Sequence, residues 1–159
     1  GAHNIDACST ATEATLRAVY YHLNIHGVPL ECTLLKPNMI ISGKDSPNRA
    51  SPEEVAEKTV NCFKQVVPAA VPGIVFLSGG QTDHEATVNL NAINQYAASV
   101  TAPWELSFSY GRGLQSAPLQ AWGGKSSNVG RAQQVYYHRA YVTSAARRGT
   151  YKPEMEKEL

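Results

Sequence analysis

Between Ile5 and Leu23 the residues Cys8, Ala11, Ala14, Thr15, Ala18, Val19 and Leu23 recur at three- and four-residue spacing, and Gly27 follows as a C-terminal stop. That pattern predicts an amphipathic helix. Val28 to Leu35 is a shorter apolar run with turn residues on both sides, closed by Lys36-Pro37, where proline biases Lys36 to extended geometry. It predicts a first strand. Ser42 to Ser51 is rich in Ser, Gly, Asp, Asn and Pro and reads as a loop. Ser51-Pro52-Glu53-Glu54 then supplies an N-cap, a proline at the first helical position and acidic residues in the first turn, so a helix should run to about Val67, before Pro68 and Pro72. The β-branched and aromatic run Gly73-Ile74-Val75-Phe76-Leu77 predicts a second strand, closed by Ser78-Gly79-Gly80. Asp83 and Glu85 open a further helix through Val88, Leu90, Ile93 and Tyr96, and Trp104 to Ser109 predicts a third strand ended by Tyr110-Gly111-Arg112. A helical stretch at Ala117 to Trp122, a turn at Gly123-Gly124 and a longer helix from Asn128 to about Arg148 follow. Gly149 caps that helix, and the charged ending Lys152 to Leu159 is expected to fray.

Strand-to-strand intervals of roughly 40 and 30 residues leave room for crossover helices, so the chain reads as α/β with a parallel sheet. The weak alternation of the second and third strands fits strands covered by helices. Three strands cannot close a barrel. They fit either an open three-layer sheet or a contiguous wedge of a (β/α)8 barrel, which needs eight strands and typically about 250 residues.

Composition narrows the class of molecule. With 159 residues, 43% hydrophobic, 17% charged and a net charge of +1, the chain has the profile of one soluble globular domain. No apolar run approaches the ~20 residues of a transmembrane helix, and the near-neutral charge argues against a nucleic-acid binder. Cys8, Cys32 and Cys62 are odd in number and lack CxxC spacing, so neither a disulfide framework nor a zinc ribbon is expected. The opening Gly1-Ala2-His3-Asn4 has no signal-peptide pattern, and a reducing compartment is the working expectation. His3, His22, His26, His84 and His138 form no zinc motif and read as structural or surface residues. Trp104, Tyr110, Trp122, Tyr136 and Tyr137 are expected on core-facing elements, not on a base-stacking surface.

In parallel α/β folds, chemistry collects at the C-terminal strand ends, which here read Leu35-Lys36-Pro37-Asn38, Leu77-Ser78-Gly79-Gly80-Gln81 and Ser109-Tyr110-Gly111-Arg112. A lysine ending a buried strand is costly to desolvate unless it is paired, snorkels to the rim, or sheds its proton and serves as a nucleophile. Pattern alone leaves those choices open. Ser78-Gly79-Gly80 places small residues before a helix, where backbone N–H groups can converge on an anion, although the same residues also make an ordinary tight turn. Arg112 at the neighbouring strand end adds a guanidinium suited to phosphate. Asp83 and Glu85 read as a helix N-terminus, not as paired catalytic acids.

Five stretches in order carry a resemblance: Leu30-Glu31-Cys32-Thr33-Leu34-Leu35-Lys36-Pro37-Asn38-Met39, Phe76-Leu77-Ser78-Gly79-Gly80-Gln81, Asn89-Leu90-Asn91-Ala92-Ile93-Asn94, Phe108-Ser109-Tyr110-Gly111-Arg112 and Ala121-Trp122-Gly123-Gly124-Lys125. Together they resemble class I fructose-bisphosphate aldolase over nearly the whole chain. The resemblance implies the C-terminal part, about three β/α units, of a TIM (β/α)8 barrel, with residues 1–159 forming a single partial domain. It implies reversible cleavage of fructose 1,6-bisphosphate to dihydroxyacetone phosphate and glyceraldehyde 3-phosphate without metal or cofactor. Lys36 matches the family's Schiff-base lysine. Ser78, Gly79, Gly80 and Gln81 match the loop at the ketose-side phosphate, and Ser109, Gly111 and Arg112 match the other half of that site.

The same resemblance implies that the chain begins after the family's fifth strand, so that the acid/base carboxylates and further active-site lysines of earlier strands have no counterpart here. The tyrosine-ended tail has no match either, and Cys32 stands where the family usually has glycine. In an ideal strand Cys32 shares a face with Lys36. The expectation is therefore an aldolase fragment that is weakly active or inactive by itself. Its partners are sugar phosphates, with no nucleic acid or membrane, and the intact parent is expected to be a homotetramer in the cytoplasm or, alternatively, the plastid stroma. The other readings are a non-catalytic sugar-phosphate-binding or scaffold protein, and a structural half that reassembles with an N-terminal half.

Overall fold

Helices and strands alternate along the chain in the computed structural model, which describes residues 1–157. Helix α1 spans Ile5–Ile25 and starts at Asn4, whose side chain accepts a hydrogen bond from the Ala7 amide at 2.9 Å. Strand β1 is Leu34–Leu35, α2 is Pro52–Val66 and β2 is Gly73–Phe76. Helix α3 covers Asp83–Ser99, β3 Glu105–Phe108, α4 Arg112–Trp122 and α5 Val129–Arg147. The sheet order is β1-β2-β3 with both pairs parallel, in the register Leu34 to Gly73 and Gly73 to Glu105. Each crossover carries one helix, α2 or α3, as parallel pairing demands.

These helices begin where local chemistry starts them. Ser51 Oγ accepts from the Glu54 amide at 3.3 Å, with Pro52 as the first helical residue of α2. Thr82 and Glu85 form a reciprocal capping box on α3, so the two acidic residues read as a helix start do that work. The core lies where α2 and α3 meet the sheet, with α5 against α3. Phe63 and Phe76 stack at 5.9 Å, surrounded by buried Ile74, Leu90, Ile93 and Val142.

Tyr110 sits in this core and donates its hydroxyl to the Ala86 carbonyl at 3.0 Å, tying the end of β3 to α3. Burial pushes its phenol well above the ordinary value of 10.0. The folded state then keeps a proton that the unfolded chain releases, so this stability is complete below pH 10.0 and declines as pH rises above it. The decline is about 1.4 kcal/mol per pH unit for one such group. Tyr20 and Tyr151 shift the same way, so Tyr110→Phe should flatten the alkaline fall in urea stability without abolishing it. At neutral pH the lost hydrogen bond should cost about 1 kcal/mol.

The structure corrects four expectations. The first strand is two residues long, because Leu30–Cys32 form a 3-10 turn in which the Cys32 amide donates to Pro29 and the Thr33 amide to Leu30. Cys32 is therefore exposed on a turn and not on a strand face shared with Lys36. Helix α4 starts at Arg112, five residues earlier than expected, with Pro118 accommodated inside it. Trp122, Tyr136 and Tyr137 are exposed, Tyr137 by 74%, on α4 and α5, whereas Trp104 and Tyr110 are buried.

The fourth concerns the charged ending. Pro153–Lys157 forms a 3-10 turn docked onto the fold, and Glu158 and Leu159 lie outside the described residues. Met155 offers its carbonyl to His138 Nε2 at 2.8 Å. Glu156 pairs with the buried Arg139 and accepts from the Tyr151 hydroxyl at 3.1 Å. Arg139 also donates to Thr87 Oγ1 at 2.9 Å, and its Nε lies 3.8 Å from Asp83 without a hydrogen-bond partner among the described residues.

Candidate functional site

Parallel pairing delivers the C-terminal ends of all three strands to one edge of the sheet. Lys36 follows β1 directly. Its neighbour Pro37 is buried and accepts the Leu77 amide at 3.0 Å, while Asn38 Nδ2 donates to the Met39 carbonyl at 2.9 Å and reaches Thr12 Oγ1 at 3.5 Å. The backbone around the lysine is thus tied to β2 and α1. Its side chain lines a hollow of about 650 Å³ together with Thr12, Leu16, Asn38 and Leu77. The sequence pattern put the lysine at the end of a buried strand and left its own placement open; Lys36 is exposed, because β1 lies at the sheet edge with β2 as its one neighbour among the described residues, and Leu34 is 65% exposed. Besides Lys36, the titratable groups of this hollow are His3 and Cys8, and no carboxylate lines it among the described residues.

The other strand ends build a second hollow of about 590 Å³, lined by Gly80, Gln81, Thr82, Arg112, Gly113 and Ser116 together with Lys44 and Arg49. Ser78 is buried and its Oγ accepts from the Gly113 amide at 3.2 Å, which leaves its own hydroxyl proton free to donate. This bond clamps the turn after β2 to the first turn of α4, so Arg112 is the first residue of a helix placed beside that turn. Gly80 turns the chain at φ +76°, where a side chain would be strained. The amides of Gly79, Gly80, Gly111 and Arg112 have no hydrogen-bond acceptor among the described residues, and Gly111 carries no side-chain cap.

The sequence reading assigned the anion-binding help to the helix after Ser78-Gly79-Gly80. In the structure the Thr82 amide donates to Glu85 at 2.8 Å and the Glu85 amide to Thr82 at 3.1 Å, so the start of α3 is already satisfied. The open helix start is that of α4. Gln81 is committed within the turn, since its amide donates to the Ser78 carbonyl at 3.2 Å and its side chain accepts from Asn89 at 2.7 Å and donates to Met39 Sδ at 3.6 Å. Although its partial burial opposes the shift, Glu85 is held below the usual carboxylate value by the Thr82 hydrogen bonds and by Arg49 at 3.0 Å.

Of the residues singled out in the sequence, Gly80, Gln81 and Arg112 therefore share one hollow, and Ser78 joins them through Gly113. Gly79, Ser109 and Gly111 sit in the same strand-end turns without lining it, and Lys36 lines the other hollow. The end of β2 divides the two, with Leu77 facing the lysine side and Gly80 the arginine side. Lys44 and Arg49 were not singled out, and their only mark in the sequence is positive charge inside the Ser- and Gly-rich loop after the first strand.

A family model for class I fructose-bisphosphate aldolase matches residues 1–159. The chain belongs to the class I fructose-bisphosphate aldolase family. It is 51% identical over 156 residues to the cytosolic fructose-bisphosphate aldolase 4 of Arabidopsis thaliana, covering 98% of this chain and 39% of that protein. Against cytoplasmic isozyme 1 of Pisum sativum the identity is 53% over 151 residues, covering 95% and 42%. Against aldolase B of Sparus aurata it is 50% over 153 residues, covering 96% and 42%. A structure of the Plasmodium falciparum aldolase in complex with TRAP and a small-molecule inhibitor superposes with a TM-score of 0.90 at 45% identity, over 96% of this chain and 43% of that one. This aldolase-family chain thus spans about two-fifths of the length of its relatives, and the three parallel strands and five α-helices among its described residues form an aldolase-like α/β fold.

Proposed function

We propose that residues 1–159 are a single partial domain, the C-terminal three β/α units of a (β/α)8-barrel aldolase that reversibly cleaves fructose 1,6-bisphosphate to dihydroxyacetone phosphate and glyceraldehyde 3-phosphate. Lys36 is the Schiff-base lysine. Its neutral amine attacks the ketose carbonyl, water leaves, and the iminium takes up the electron pair of the breaking carbon-carbon bond as an enamine. Ser78, Gly79, Gly80, Gln81, Ser109, Gly111 and Arg112 form the ketose-side phosphate site, which holds its ligand through the free amides of Gly79, Gly80, Gly111 and Arg112, the Ser78 hydroxyl and the Arg112 guanidinium. The chemistry uses no metal or cofactor. The parent enzyme is cytoplasmic, in keeping with the names of the plant relatives, and is a homotetramer acting on sugar phosphates.

The observation that carries this reading is the delivery of Lys36, Ser78 and Arg112 to one edge by three parallel strands. Because no carboxylate lines the lysine hollow among the described residues, cleavage by this chain alone should fall about 10²–10⁴-fold below an enzyme with its acid/base group in place.

The test is the intact mass of the chain after incubation with dihydroxyacetone phosphate and borohydride. The expected result is one adduct, equal to the substrate less water plus two hydrogens, with its yield at limiting substrate reduced by Arg112→Met. The exposure of Lys36 in a hollow separate from Arg112 favours a second reading, a sugar-phosphate-binding module without covalent chemistry. A folded chain that binds dihydroxyacetone phosphate without forming the adduct would select it.

A further inference from the structure

The arginine hollow holds more cationic capacity than Arg112 alone. Its lining contains three basic side chains, Lys44, Arg49 and Arg112, and two acidic ones, Asp83 and Glu85. Both acids are committed elsewhere. Glu85 caps α3 through Thr82 and pairs with Arg49 at 3.0 Å. Asp83 accepts from the His84 amide at 3.2 Å and faces the buried Arg139 at 3.8 Å. Lys44 and Arg112 make no ion pair among the described residues, so they face the hollow as its free positive charges.

Lys44 is also held in place. The loop that carries it is attached to the turn after β2 on one side, by the Gln81 side chain on Met39 Sδ at 3.6 Å and by Ile41, whose Cδ1 would lie 3.8 Å from a Cβ built on Gly80. It is attached on the other side by Arg49 on Glu85. Within the loop, the Ser46 amide donates to the Gly43 carbonyl at 3.0 Å, and the Ala50 amide to Ser42 Oγ at 3.1 Å. A lysine on a turn braced at both stems gives up less freedom on contacting an anion than one on a free loop.

We propose that Lys44 is a second cation of the phosphate site, sharing the hollow with Arg112 and selecting ligands that carry a doubly charged phosphate monoester group. This inference rests on the phosphate site proposed above. A guanidinium and an ammonium in one hollow match the charge of a phosphate dianion, whereas a singly charged anion leaves one of them unneutralised.

The experiment is calorimetric titration of the chain with inorganic phosphate at a pH where the dianion prevails, for the unmodified chain, Lys44→Met, Lys44→Arg, Arg112→Met and the distant control Lys152→Met. Lys44→Met is expected to weaken binding about tenfold, Lys44→Arg to restore most of it, and Lys152→Met to leave it unchanged. Lys44→Met should also flatten the dependence of affinity on pH across the second phosphate ionisation. Weakening by Arg112→Met with no change in Lys44→Met would overturn the role of Lys44 and leave the phosphate site standing. Unchanged affinity in both variants, or no phosphate binding by the unmodified chain, would overturn both.

Discussion

Lys36→Met should eliminate the borohydride-stable adduct with dihydroxyacetone phosphate altogether, because only a primary amine at this position forms the imine that hydride reduces. The side chain is exposed, so its removal leaves no buried partner unsatisfied and no cavity in the core. Urea stability should stay within about 0.5 kcal/mol of the unmodified chain. Inorganic phosphate binding should also persist, since Lys36 lines a different hollow from Arg112. The combined result of lost adduct, kept fold and kept phosphate affinity separates the covalent role from the binding role. An adduct of undiminished yield in Lys36→Met would move the chemistry to another amine and refute the assignment.

Glu156→Ala should destabilise the chain by about 2–3 kcal/mol, a large share of the stability of a domain this size. Removing a carboxylate from a buried pair strands the cation, and Arg139, whose side chain is 7% exposed, would keep only Thr87 and the more distant Asp83. The Tyr151 hydroxyl loses its acceptor as well. The figure is discounted below the range for fully buried pairs because the Glu156 side chain is 22% exposed. The double variant Arg139→Met with Glu156→Leu should recover most of the loss, since an apolar pair leaves no charge to desolvate. Midpoints of urea unfolding decide the matter. Equal destabilisation in the single and double variants would show that the turn at Pro153–Lys157 is held by contacts other than this ion pair.

The same cluster shows where sequence reading stops. Helices α2 and α3 were legible because Ser51-Pro52 and the acidic pair Asp83 and Glu85 mark their starts, and β2 because five successive residues share strand-forming character. The pairing of Arg139 with Glu156 joins residues 17 apart across a change of chain direction, and charges read in one dimension look solvated. The start of α4 was hidden for a related reason. Gly111 and Gly113 look like breakers until Ser78, 35 residues upstream, is seen to receive the Gly113 amide. The expected strand at Val28 to Leu35 was shortened to Leu34–Leu35 by a local competitor, the turn closed by the Thr33 hydroxyl on the Leu30 carbonyl at 2.7 Å. The strand-end residues of the candidate site were visible as polar positions after apolar runs. Lys44 was not, because its significance depends on a loop folded back over the turn after β2.

The short outer strand β1 has one more consequence. Among the described residues the sheet presents an open parallel edge at β1 and another at β3, and an edge of unpaired amides and carbonyls is a template for further strands. Contact between β3 of one copy and β1 of the next is head-to-tail, so strands would accumulate in multiples of three, giving six or nine. No number of copies reaches the eight that close a (β/α)8 barrel. If the parent is the barrel proposed above, self-assembly of this segment is frustrated by arithmetic, leaving open-ended association that grows with concentration, whereas a complementary five-stranded partner would end it in a single step.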